Sequence, residues 1–234
     1  MNETRWERYG AGAGIGFVVL FLLSIFVVPL APHIDASTGK IMSYVGDHRR
    51  GLLTATLFNS LASLAFLWFC GHLRHVLQRS EHQAEAFSPM VFGAGVLTAG
   101  AALLSLVPMT TLAFMAGRPN DPSSAAVVRM LFDMNWLFLS VVGFAFGLFT
   151  IALSSAMLRR ELATPSFGYL GMLSAALIWI FSIGSLYVTH NSTALNTVAL
   201  IGYLGFSAWM LLASVAMYQL PEVERASTHS AVFA

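Results

Sequence analysis

Few side chains in this sequence are equipped for chemistry, and six of them fall where a ligand site could form: His48, Asn59, Arg129, Asp133, Tyr187 and His190. His48 and Asn59 are about three helical turns apart and so share a helix face. Asn59 stands in an apolar run, where an amide is costly unless it faces other helices. A hydrogen bond from Asn59 to a neighbouring helix, worth about 0.6–2 kcal/mol, is expected. Arg129 and Asp133 are one turn apart and can pair along a helix. Tyr187 and His190 sit at the end of a later apolar run. Such a set could gate a cavity, hold an anionic headgroup through Arg, or respond to pH through His. The plainer reading is a salt-bridged cap that seals a bundle, with Asn59 stapling two helices.

Reaction motifs are missing. The sequence has no Gly-x-Ser-x-Gly elbow, no phosphate-binding Walker loop and no His-Glu-x-x-His, so no catalytic residue is assigned. A metal site from His33, His48 and His190 with Asp47 or Asp133 would need three loops to converge, and no metal or other cofactor is assigned. His72 and His75 lack facing histidines on other spans, as a haem would require. The single cysteine, Cys70, lies in the run Phe66-Leu67-Trp68-Phe69-Cys70 and reads as a packed side chain. The lysine Lys40 falls in a loop, which excludes a Schiff-base lysine inside a membrane helix.

These residues must be positioned by a membrane-embedded scaffold. Of 234 residues 57% are hydrophobic and only 10% charged, with a mean hydropathy of +0.73. Soluble domains are about 45–50% apolar and about 25% charged. A soluble enzyme and a disordered chain are thereby excluded. A net charge of +1 leaves no basic footprint for nucleic acid. A membrane helix needs about 20 mostly apolar residues, and six stretches qualify: 10–31, 52–71, 89–116, 134–158, 167–189 and 194–220. The reading is an all-α polytopic bundle of six transmembrane helices over residues 1–220, followed by a frayed cytoplasmic tail at 221–234. Pro89 suits a first helical turn, whereas Pro108 should kink or end the third span. The first stretch is too long for a signal peptide and lacks a small-x-small cleavage site, so it is expected to remain.

Basic residues orient the bundle. With the N-terminus inside, Arg5, Arg8, Arg74, Arg79, Arg159, Arg160 and Arg225 face the cytoplasm, against Lys40, Arg49, Arg50, Arg118 and Arg129 outside. The bias favours both termini in the cytoplasm. Every Glu then lies inside and every Asp outside, so the two faces differ chemically. The cytoplasmic connectors around Arg74–Glu85 and Arg159–Glu161 read as stop-transfer charge. The external loop from Pro32 to Gly51 has enough apolar character at Ile41, Met42, Tyr44 and Val45 to lie on the membrane or cap the bundle. The second external loop, Gly117 to Ser124, is rich in turn formers, and Ser123 or Ser124 can cap the next helix. Asp133, Ser140, Gly143 and Gly147 form one small, polar stripe; Ser174, Ser182, Ser185 and Thr189 form another. Stripes of this kind pack membrane helices closely. They also suggest that the second, fourth and fifth spans meet around a polar feature near the outside.

The opening Asn2-Glu3-Thr4-Arg5-Trp6-Glu7-Arg8 runs directly into a Gly-rich span. With Ser43-Tyr44-x-x-Asp47-His48-Arg49 and Phe66-Leu67-Trp68-Phe69-x-Gly71-x-Leu73-Arg74, it resembles a family of uncharacterised six-span bacterial proteins grouped as a domain of unknown function. The resemblance implies six spans and a bacterial inner-membrane location, and no activity. Two classes of function fit. One is a non-enzymatic ligand-binding, sensing or accessory subunit surrounded by the lipid bilayer, as a homo-oligomer or in a larger complex. The other is a small-molecule or ion transporter with an external vestibule, although no acid lies deep in a span where a proton-coupled carrier places one. An intramembrane enzyme acting on lipid through His48 or His190 has no motif behind it.

Overall fold

The computed structural model describes residues 3–80, 87–118, 124–159, 164–188, 190 and 192–232. Every element in them is helical: α1 (Glu3–Phe26), α2 (Thr38–Asp47), α3 (Arg49–Ser80), α4 (Phe87–Ser105), α5 (Val107–Ala116), α6 (Ala125–Arg159), α7 (Pro165–Tyr187) and α8 (Thr193–Val232). Five helical stretches are long and apolar enough to cross a membrane: Arg49–Gln78, Phe87–Ala116 (α4 with α5), Ala125–Arg159, Pro165–Tyr187 and Thr193–Val215. The apolar part of α1, Gly12–Phe26, is shorter. At a rise of 1.5 Å per residue it covers about 22 Å, against a hydrocarbon core of about 30 Å.

Local chemistry explains where the helices stop. The first span was expected to reach residue 31, but α1 ends at Phe26. Pro29 and Pro32 push the residues before them out of the helical region, which forces the end. Pro108 also acts as expected: α4 closes at Ser105, whose hydroxyl donates to the Ala102 carbonyl at 2.7 Å, and α5 begins again at Val107. The loop after α1 hides a helix that the span pattern did not give. In α2 the Ser37 hydroxyl caps the Lys40 N–H, and the buried Ile41 and Val45 lie one turn apart. They pack with Leu52, Leu112, Val128 and Phe132, so α2 caps the bundle. At the other end α8 continues past Pro221 to Val232, where a frayed terminus was expected.

The long helices close into a ring: α1 packs on α3, α3 on α4, α4 on α6, α6 on α7, α7 on α8, and α8 back on α1. Their outward faces carry Leu57, Leu61, Leu64, Leu173, Ile180, Leu200 and Leu204, all exposed. Such a surface suits lipid rather than water. α6 is the most enclosed element: 61% of its apolar stretch is buried, against 28% to 39% for the other long stretches. The centre of the ring is aromatic. Phe17, Phe66, Phe146, Phe149 and Phe206 join four helices, with centroids 4.9 Å apart for Phe66–Phe149 and Phe146–Phe206.

Ser140, Gly143 and Gly147 of one stripe and Ser182 and Ser185 of the other form the seam between α6 and α7. The Ser140 and Ser185 hydroxyls bond across it at 2.6 Å. Gly143 leaves room for the Ser182 hydroxyl, and Gly147 for the Trp179 indole, whose N–H donates to the Phe144 carbonyl at 3.2 Å. The expected meeting of the second, fourth and fifth spans is therefore corrected. α6 and α7 share one seam, while α3 lies against α1, α4 and α5 and reaches α6 through the rings of Phe66, Phe146 and Phe149. Stripes of small residues identify a close contact but not its partner, and Thr56 and Thr110, bonded at 2.9 Å, join α3 to α5 instead.

Candidate functional site

Residues 27–37 form a strap from α1 to α2, turned at 34–35, and two side chains fasten it. Arg129, in the second turn of α6, spreads its guanidinium over three partners. Nε donates to Asp133 Oδ2 at 3.0 Å, Nη1 to the Ala36 carbonyl at 3.1 Å and Nη2 to the Ile34 carbonyl at 2.6 Å. Nη2 also lies 2.8 Å from Asp133 Oδ1, which completes a two-pronged ion pair. The fork geometry of Arg makes this arrangement available, whereas a Lys could not hold a carboxylate and two carbonyls in one plane. On α2, the Tyr44 hydroxyl donates to the Pro29 carbonyl at 2.7 Å. Burial pushes the Tyr44 phenol above its ordinary pKa, so it remains a donor at neutral pH.

The other sequence candidates are divided between places. His48 lies at the junction of α2 and α3, one residue before the helix that carries Asn59, and its carbonyl accepts from the Leu52 N–H at 2.9 Å. Its Nδ1 is 2.9 Å from the Tyr44 carbonyl, and its ring rests on the Tyr44 ring at a centroid distance of 4.9 Å. His190 lines a hole of about 30 Å³ with His33, Trp136, Ser185 and Asn196. That space suits a water molecule and nothing larger. Tyr187, at the end of α7, is 80% exposed. Among the described residues, no three His, Cys, Asp or Glu side chains gather where a metal ion could be held. The turn-rich loop at 119–123 and Thr189 lie outside the described residues.

Asn59 occupies the most interesting position, and its bond is not the expected one. Its Nδ2 donates to the Ala55 carbonyl of its own helix at 3.0 Å, rather than to a neighbouring helix. It faces a cavity of about 450 Å³ that opens among the helices at the α2 end. That size falls within the range of about 300–1,000 Å³ seen for small-molecule sites. Phe17 and Phe146 of the aromatic centre line it, together with Ala62 and Val142, and Pro29, Leu30 and Ala31 of the strap. Leu30 is 96% exposed and marks the rim. Asn59 lies about 15 Å along α3 from its start, so the cavity reaches about half-way through a bilayer. Its polar groups are Ser24, Asn59, Ser63, Ser105, Tyr44 and Tyr203.

Sequence reasoning singled out Asn59 but missed the rest of this lining. One signal was present: Ala55, Asn59, Ala62 and Ser63 put small and polar residues on one face of an otherwise bulky helix. Tyr203, a hydroxyl within the last apolar run, was another. Comparison with curated proteins and with solved structures finds no match. Residues 12–213, which include every residue that lines the cavity, match the family described as a domain of unknown function, DUF4386, and the chain belongs to that family.

Proposed function

We propose that this integral membrane protein is a non-enzymatic binder of a small, largely apolar molecule held in the central cavity. In this reading the protein serves as a sensing or accessory subunit of a bacterial inner membrane. It crosses that membrane six times, with both termini in the cytoplasm and the strap outside. The observation that carries the reading is the cavity itself: about 450 Å³, apolar in most of its lining, and set among helices whose outer faces suit lipid. A void of this size left empty would forfeit dispersion contacts along its whole wall, so an occupant stabilises the fold. The arrangement of Arg129, Asp133 and His48 around the strap supports a role at the entrance rather than in chemistry.

Purified protein in lipid nanodiscs, analysed by native mass spectrometry, tests the reading. The expected result is a retained apolar molecule, or saturable uptake of a fluorescent lipophile, that is lost in Ala55→Phe, where the ring would fill the cavity. Uptake that is equal in the wild type and in Ala55→Phe would place binding elsewhere and defeat the proposal.

A further inference from the structure

We propose that the cavity selects an uncharged lipophile carrying a hydrogen-bonding oxygen, and that Asn59 and Tyr203 are the residues that recognise this oxygen. The inference rests on the cavity being a ligand site, and two further observations lead to it.

The first is charge. Among the described residues, no Asp, Glu, Lys, Arg or His lines the cavity. An ionised headgroup would enter without a counter-charge, and burying an unpaired charge is heavily penalised. The second is the distribution of free donors. Ser24, Ser63 and Ser105 each give their one hydroxyl proton to a carbonyl of their own helix, at 2.6, 2.9 and 2.7 Å. Tyr44 gives its proton to Pro29. These four hydroxyls can accept but have no proton left to donate. Asn59 spends one N–H on Ala55, which leaves a second N–H and its side-chain carbonyl. The Tyr203 hydroxyl has no hydrogen-bond partner among the described residues. Its ring is fixed edge-on between Phe146 and Phe181, at centroid distances of 6.1 and 6.3 Å. The hydroxyl lies over Gly143, where a Cβ would approach it to 3.3 Å.

The donors left for a ligand are therefore on Asn59 and Tyr203. A hydroxyl or ketone oxygen that reaches either group is satisfied. A plain hydrocarbon leaves the second Asn59 N–H and the Tyr203 hydroxyl unpaired, and an unmade bond to a buried polar group is the expensive case. A preference of roughly tenfold for the oxygen-bearing molecule follows.

The test is competition against a photoreactive aliphatic diazirine in nanodiscs, with crosslinked residues read by mass spectrometry. The competitors are dodecanol, dodecane, dodecanoate and dodecylammonium, compared at matched membrane concentrations. Dodecanol is expected to compete roughly tenfold better than dodecane, and better than either charged compound. Tyr203→Phe and Asn59→Leu should each narrow the gap between dodecanol and dodecane, with dodecane competing better than it does in the wild type because no polar group is left unpaired, a gain that general damage to the fold would not produce. Equal competition by dodecanol and dodecane in the wild type, or a charged compound competing best, overturns the selectivity but leaves the cavity as a ligand site. Selectivity retained in both variants overturns the residue assignment. Crosslinking that no competitor displaces from the cavity residues overturns this inference together with the proposed function.

Discussion

Tyr44 shows how a single side chain can serve both packing and the cavity entrance. It spans from α2 to the strap and donates to the Pro29 carbonyl, while its ring supports His48. Burial raises its pKa above the ordinary value of 10.0. Between the unfolded and folded values the native state keeps a proton that the unfolded chain has lost. The stabilisation is thus complete below about pH 10 and declines as the pH rises beyond it. Tyr44→Phe is expected to lower stability by about 1 kcal/mol at neutral pH, through loss of one hydrogen bond. The variant should also lose less stability than the wild type on going to strongly alkaline pH. Melting curves in detergent at both pH values check this, and parallel alkaline losses would show that the phenol does not titrate as argued. At this scale the sequence was readable wherever an interaction is local. Arg129 and Asp133 pair because they are one turn apart, and that spacing is visible without a structure. The two strap carbonyls that Arg129 also holds, more than ninety residues away in sequence, leave no local mark.

Two elements, the α6–α7 seam and the strap, carry predictions that separate packing from access. In the seam, a Cβ at Gly147 would run into the Trp179 indole. Gly147→Ala should therefore push α6 from α7 and cost about 1–3 kcal/mol, the usual penalty of overpacking. A melting temperature equal to that of the wild type would mean that Trp179 moves aside freely. The strap should respond differently. Arg129→Gln removes the ion pair to Asp133 and the charged donors to Ile34 and Ala36, but leaves the ring of helices intact. In a Cys70→Ala background carrying Ala62→Cys, a thiol faces the cavity. Arg129→Gln should raise its rate of modification by maleimide several-fold; an unchanged rate would show that the strap does not control entry. The break at Pro108 was evident from sequence because proline acts on its own turn. α2 was not, because only Ile41 and Val45 face the core in a ten-residue helix, and a two-residue pattern does not distinguish a helix from an amphipathic loop.

Across the whole molecule, the ring and its cavity depend on α1 closing against α8, a contact between the two ends of the chain that no periodicity encodes. The five longer apolar stretches could be read because each is long, whereas the space the helices enclose depends on how they are ordered around the centre. Membrane orientation is the remaining question at this scale, and it turns on α1. If Gly12–Phe26 crosses along with the five longer stretches, the number of crossings is even and both termini share a side. If it does not, the termini lie on opposite sides. The distribution of Arg favours the first arrangement, with the strap and α2 outside. Lys40 offers a direct test, because it is the only lysine in the chain and is exposed on α2. A membrane-impermeant amine reagent applied to intact spheroplasts should label the protein, and Lys40→Arg should remove that label. A fluorescent protein fused after Ala234 should be bright, as it is when folded in the cytoplasm. Labelling of Lys40 that requires lysis would invert the bundle. External labelling with a dark C-terminal fusion would make the number of crossings between α2 and the C-terminus even. The cavity mouth would then still open outward, but the Arg bias would have misplaced the C-terminal end of α8.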